Sequence, residues 1–243
     1  MDSSRVDIVL VRPARPANVA AACRAMKNMG LRHLRIVEPP AGLAETEARN
    51  LAYGAWDVLD AARPARSLRE AVADSTFVAA ATGRELQDAW TPRRLAQEAA
   101  ERAGAGRLSV VFGPEASGLT NQELSLCHVR VRIPTSLEHP SLNLAQAVLV
   151  MAYELHVSGA SAAVGEGPLV ASAGEIEDAV QELRAALLGI GYLNPAQPDE
   201  VLGELRGVLV RARPTPREVT LLRGVARQVA WAGKKARGGP AIG

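Results

Sequence analysis

Over residues 1–158, short β-branched runs alternate with longer stretches whose apolar residues recur at helical spacing. Asp7-Ile8-Val9-Leu10-Val11 leads into a helical pattern from Ala17 to Met29, which Gly30 closes. Leu34-Arg35-Ile36-Val37 follows and is stopped by Pro39-Pro40. Further strands are predicted at Thr76–Ala80, Leu108–Phe112 and His128–Ile133. Helices are predicted near Thr46–Gly54, Leu68–Ala73, Pro92–Ala103 and Asn121–Cys127, and a long one from Asn143 to Val157. A strand with one wet face alternates polar and apolar residues, and these runs do not. The pattern therefore predicts an α/β domain whose parallel sheet is covered on both faces.

Residues 159–172 are small and glycine-rich, the composition of a linker. After them the strand signal disappears. Ala173–Gly189, Asp199–Val210 and Pro216–Trp231 carry helical spacing, so residues 173–243 are predicted to form a helical extension, with Pro198 and Pro216 where a first turn tolerates proline. From Gly174 to Glu204 seven acids face Arg184 alone, and from Leu205 to Gly243 nine basic residues face Glu218 alone. Such asymmetry fits either a basic face turned to a polyanion or a solvated surface.

Composition removes several classes. A chain 48% hydrophobic with a net charge of +2 can bury a core and is not disordered. Aromatics at 3% disfavour an extended platform of stacking rings. Cys23 and Cys127 alone complete neither a disulfide framework nor a four-ligand zinc site. The first residues, Met1-Asp2-Ser3-Ser4-Arg5, lack the order of a signal peptide, and no uncharged apolar run approaches the length of a membrane span. A soluble, cytoplasmic protein without membrane contact is expected.

Three segments carry chemistry. In Asn18–Gly30, Ala17, Ala21 and Ala25 suggest a small-residue face, and Arg24 and Lys27 share a flank. A guanidinium there can grip a phosphate with two prongs, or simply be solvated. In Val110-Val111-Phe112-Gly113-Pro114-Glu115-Ala116-Ser117-Gly118-Leu119, an apolar strand runs into a glycine-proline turn. Ligands of open α/β sheets bind at such carboxyl-end loops, although plain connections use the same residues. The turn is not GxGxxG and no Walker lysine is present, which disfavours nucleoside triphosphates. In Ile133–Val148, Ser141 or Asn143 can cap the long helix, and His139 is either a general base or a bystander. No hydrolase triad or metal-ligand spacing is present.

Taken in order, these segments resemble the three motifs of the SpoU-type (TrmH-like) RNA 2′-O-ribose methyltransferases of the SPOUT superfamily. Asn18 and Arg24 match the first, Phe112-Gly113-Pro114-Glu115 with Gly118-Leu119 the second, and Ser141-Leu142-Asn143-Leu144-Ala145 the third. Leu187–Tyr192, Arg211-Ala212-Arg213-Pro214 and Leu221-Leu222-Arg223-Gly224 resemble the C-terminal extension of the TrmJ branch, which methylates the ribose of nucleotide 32 of tRNA. The resemblance implies a sheet with a C-terminal deep trefoil knot, a homodimer, S-adenosylmethionine as cofactor without a metal, and tRNA as partner. It implies a cofactor pocket of Ala81, Thr82, Gly83, Gly113, Ile133, Pro140, Ser141 and Leu142. Catalytic surroundings would comprise Asn18, Arg24, Glu115, Ser141 and Asn143, with Arg24 acting across the dimer. RNA contacts would fall to Arg24, Lys27, Arg84, Arg211 and Arg213. An rRNA methyltransferase of the same fold and a non-catalytic RNA-binding factor are the alternatives.

Overall fold

The computed structural model describes residues 5–43, 50–84, 88–136, 138, 141–159 and 167–238 of the chain. They form two compact units, Met1–Pro168 and Leu169–Gly243. The first unit runs β1 (Val6–Val11), α1 (Pro16–Asn28), β2 (His33–Val37), α2 (Trp56–Asp60), β3 (Arg63–Ala65), α3 (Leu68–Ala71), β4 (Phe77–Ala81), α4 (Pro92–Ala103), β5 (Leu108–Phe112), α5 (Asn121–Ser125), β6 (Val129–Val131) and α6 (Leu144–Gly159). The six strands form one sheet in the order β3-β2-β1-β5-β4-β6, and every pairing is parallel.

The largely apolar runs have the predicted consequence. All six residues of β1 and all five of β5 are buried, so both faces of the central strands are covered. Val6, Ile8 and Leu10 point into a core shared with α1, α2, α4 and α6, while Val9 and Val11, alternating with them, are buried outside that cluster. Helix α1 opens with Pro16, whose missing N–H costs nothing in a first turn, and packs against α6. Its buried face comprises Val19, Ala20, Ala22, Cys23, Ala25 and Met26, so of the predicted small-residue face only Ala25 is fully buried. Burial pushes the Cys23 thiol up to about 12, which keeps it from acting as a thiolate.

The structure departs from the sequence reading at three places. β3 shows no hydrophobic period because it is only Arg63-Pro64-Ala65, a sheet-edge strand where proline is tolerated. β6 is shorter than predicted, Val129–Val131 only, and Trp90 bridges to it: Trp90 N–H donates to Arg130 O at 2.8 Å and Arg132 N–H to Trp90 O at 2.9 Å. The long helix starts at Leu144 and runs to Gly159, into the predicted linker. Residues 44–49, which include the first four of the predicted Thr46–Gly54 helix, lie outside the described residues, as do linker residues 160–166.

A charged knot of side chains ties the amino-terminal edge of the sheet. Asp7, 1% exposed, accepts from Arg107 Nη2 at 2.6 Å and Arg35 Nη2 at 3.0 Å, and Arg35 also reaches Asp74 at 2.8 Å. Two guanidiniums thus offset the cost of burying one carboxylate.

In the second unit, α7 (Ala173–Gly189), α8 (Asp199–Ala212) and α9 (Pro216–Gly238) close on Ile176, Ala179, Val180, Leu193, Leu202 and Val219. Ser172 with Glu175 forms a capping box at the start of α7, and Thr215 with Glu218 makes the same reciprocal bonds before α9. α9 extends past the predicted Trp231. The acidic and basic stretches meet: Arg206 pairs with the buried Glu177 at 2.9 Å, Arg223 with Glu182 at 2.6 Å and Arg227 with Glu182 at 3.5 Å. Among the described residues no helix is long and apolar enough to cross a membrane.

Asp7→Asn leaves Arg35 and Arg107 without their shared charge. We expect it to lower unfolding stability by about 3 kcal/mol, the low end for breaking a buried pair because both guanidiniums reach solvent. Urea denaturation of the two proteins checks this, and equal midpoints would contradict the role assigned to Asp7.

Candidate functional site

Because all strands run one way, β4, β5 and β6 end on the same edge, and the segments that follow them enclose a cavity of about 300 Å³. After β4, Ala81, Thr82, Gly83 and Arg84 form one wall. Thr82 N–H donates to Val131 O at 2.9 Å and Arg84 N–H to Thr82 Oγ1 at 3.1 Å, which fixes that loop to β6. After β5, Phe112-Gly113-Pro114-Glu115 and Ser117-Gly118-Leu119 form a second wall. Gly118 N–H donates to Pro114 O at 2.8 Å with Gly118 at φ +66°, a left-handed turn suited to glycine. The turn folds back so closely that a Cβ on Gly113 would stand 2.5 Å from Leu119 N. After β6, Val131, Ile133, Thr135, Ser141 and Leu142 complete the enclosure, with Leu124, Leu144 and Ala147 as an apolar floor.

The β5–α5 connection is tethered to the β1–α1 connection. Glu115 accepts from Asn18 Nδ2 at 2.5 Å and from Ala14 N–H at 3.0 Å. Burial works against the Glu115 charge, but these two donors outweigh it and hold the carboxyl below the usual glutamate range. A second carboxylate, Glu123, pairs with Arg12 at 2.6 Å and accepts from Thr120 N–H at 2.8 Å. It too is held low, the Thr120 N–H and the Arg12 guanidinium prevailing over burial.

Of the residues assigned to a cofactor pocket, Ala81, Thr82, Gly83, Gly113, Ile133, Ser141 and Leu142 all line this cavity. Pro140 lies outside the described residues, as does His139. Glu115, Ser141 and Arg84 also line it, and Arg84 Nη1 reaches Asn121 Oδ1 at 3.5 Å. Asn18 stands beside the wall, bound to Glu115. Arg24 is exposed on α1 and is not in the lining. Lys27 forms a 2.7 Å ion pair with Asp57. The helix cap is Asn143: its Oδ1 accepts from Ala145 N–H at 2.9 Å, while Gln146 Oε1 accepts from Asn143 N–H at 3.1 Å. Ser141 stays in the cavity wall. In the second unit, Arg211 is exposed in the last turn of α8, and Arg213 caps that helix at φ +50°.

Sequence reasoning missed Phe112, Leu124, Thr135, Leu144 and Ala147 as lining, and Arg12 and Glu123 as a tether. Apolar lining residues look like core residues along the chain. A signal for Glu123 was present, however: Thr120-Asn121-Gln122-Glu123 is a capping-box pattern.

Comparison with known proteins agrees with the geometry. Residues 5–153 match the model of the SpoU rRNA Methylase family, and residues 174–240 match the model described as tRNA methyltransferase TrmJ, C-terminal domain. The chain is 35% identical over 237 residues to the tRNA (cytidine/uridine/adenosine-2′-O-)-methyltransferase TrmJ of Pseudomonas aeruginosa, covering 91% of this chain and 92% of that protein. It is 36% identical over 235 residues to the tRNA (cytidine/uridine-2′-O-)-methyltransferase TrmJ of Pectobacterium atrosepticum, covering 92% and 96%. The crystal structure of TrmJ from Z. mobilis superposes with a TM-score of 0.81 at 34% identity, covering 92% and 98% of the two chains.

Glu115→Gln removes a charge that the fold stabilises. A carboxyl held low in the folded chain contributes stability that is full above the unfolded glutamate value, about 4.3. That contribution fades as pH falls through the lower folded value. We expect the stability gap between wild type and Glu115→Gln to follow that course in denaturation at stepped pH. A gap independent of pH would contradict it.

Proposed function

The chain belongs to the SpoU methylase family, within its TrmJ group, and on that footing we propose that it transfers a methyl group from S-adenosylmethionine to the ribose 2′-hydroxyl of nucleotide 32 in the tRNA anticodon loop, acting as a cytoplasmic homodimer. The observation that carries the reading is that the carboxyl-edge cavity is walled by the second and third motif segments.

The cavity suits the proposed cofactor. It is largely apolar, as a slot for a purine must be, and its glycine wall at Gly113 presents backbone where any side chain would collide with Leu119. Thr82, Thr135 and Ser141 add hydroxyls for the polar parts. When bound, S-adenosylmethionine supplies an electrophilic methyl carbon attached to a leaving group that departs neutral.

The chain's own residues must position and activate the sugar hydroxyl. A guanidinium is always protonated and makes a poor base, so Arg24 grips an RNA phosphate and stabilises the negative charge growing on the 2′-oxygen. The proton passes to water or to a phosphate oxygen. Asn18, bound to Glu115, holds the first turn of α1 against the cavity wall. Arg84 stands at the cavity, and RNA contacts are assigned to it and, separately, to Arg211 and Arg213 of the second unit.

Two features support the finer parts of the reading. Leu149, Tyr153 and Val157 stand 38%, 52% and 52% exposed at helical spacing on α6, an apolar stripe fit to meet its counterpart in a second copy. That helix packs on α1, which carries Arg24, so the stripe favours Arg24 acting across the dimer. β6 pairs outside β4 rather than beside β5, so the chain from β5 to β6 passes over β4, a crossover compatible with a knotted path.

Three measurements test this. Labelled cofactor with unmodified tRNA should place one methyl on the ribose of nucleotide 32; label found only in rRNA would overturn the substrate. Gly113→Ala should weaken cofactor binding at least tenfold by calorimetry, since the added methyl meets backbone. Arg24→Lys keeps the charge but loses the fork, so turnover should fall by about 10²-fold, as for loss of one transition-state donor, with cofactor affinity near normal. Wild-type turnover in that variant would refute the phosphate grip.

A further inference from the structure

Glu123 divides its carboxylate between two tasks. Oε2 accepts from Thr120 N–H at 2.8 Å and from the Thr120 hydroxyl at 3.0 Å, closing the capping box of α5, while Oε1 meets Arg12 Nη2 at 2.6 Å. The box fixes the glutamate, so the oxygen offered to Arg12 has a set position. Arg12 is equally constrained. It directly follows β1 at φ +45°, and its N–H is taken by Val37 O at 2.9 Å. Between Arg12 and Asn18 lie five residues, two of them, Pro13 and Pro16, with locked φ, so little slack separates the pair from the first turn of α1. On the other side, Leu124 next to Glu123 is part of the cavity floor.

We propose that the Arg12–Glu123 ion pair is a positioning device for methyl transfer. It ties the floor of the cavity to the leader of α1 and so sets where Asn18 and Arg24 stand relative to the bound donor. The inference rests on the methyltransferase reading. Arg12 and Glu123 touch neither substrate nor reacting atoms; they act through α1. A partly exposed pair of this kind adds little to stability, so its contribution is one of placement. Misplacing a catalytic group by an ångström slows a reaction by about a hundredfold while leaving a separate binding pocket intact.

The test uses the full-length protein with Arg12→Met, Glu123→Gln, the double variant and Arg12→Lys. Glutamine at position 123 keeps the capping box, so α5 is preserved while the charge is lost. Each single variant should lower kcat on tRNA by roughly tenfold to a hundredfold. S-adenosylmethionine affinity should stay within about threefold of wild type, because the residues lining the cavity are untouched. The double variant should be no slower than the worse single, since both remove one interaction. Arg12→Lys should retain most activity. In the unliganded protein, amide hydrogen exchange at Ala14, Ala17 and Asn18 should quicken in Arg12→Met. Near-normal kcat, losses that multiply in the double variant, or unchanged exchange would each overturn the proposal. If the wild-type protein itself moves no methyl to tRNA, the function falls instead, and the exchange measurement still decides whether the pair holds the leader of α1.

Discussion

Parallel strands give a sheet two unlike edges, one where every strand begins and one where every strand ends. In this chain β4, β5 and β6 finish together, and the three segments that leave them have nowhere to go but over one another. The segment after β5 folds back on itself at Gly113, where Leu119 N comes so near that no side chain fits. The enclosure, its exposed backbone and its nearness to α1 all follow from that shared direction. The sheet supplies what loops of this length cannot supply alone, a rigid base from which backbone groups hold their positions.

The α/β class and most strands were legible because β1, β4 and β5 are apolar apart from Asp7 and Ser109, and because Leu34, Ile36 and Val37 mark β2 despite Arg35. The second motif segment was legible because glycine and proline mark a β-to-α turn so strongly at Gly113-Pro114, and the third because Ser141 and Asn143 are capping residues ahead of a long helical pattern. β3 was not, since three residues containing a proline carry no period. Nor was the cavity floor, because Leu124, Leu144 and Ala147 differ in nothing from core residues until the chain is folded. Long-range tethers are harder still. Nothing local in Arg12 says that its partner lies at Glu123, and Asn18 finds Glu115 only after β1 and β5 have paired.

The charge division of the C-terminal stretch has a partly internal meaning. Glu177 and Glu182 receive Arg206, Arg223 and Arg227, so part of the basic excess closes the helices on one another. What faces outward is smaller than a count along the chain suggests, and it concentrates on residues such as Arg211 and Arg217, which are exposed. Composition alone cannot separate charges that hold a unit together from charges that greet a partner.

The Asp7 cluster lies at the beginning of β1 and the enclosure at the carboxyl ends of β4, β5 and β6. Fastening and chemistry therefore occupy opposite poles of the same ribs. Such a division leaves each free to drift on its own: descendants can trade robustness for heat or cold at one pole while the other goes on reading the same sugar.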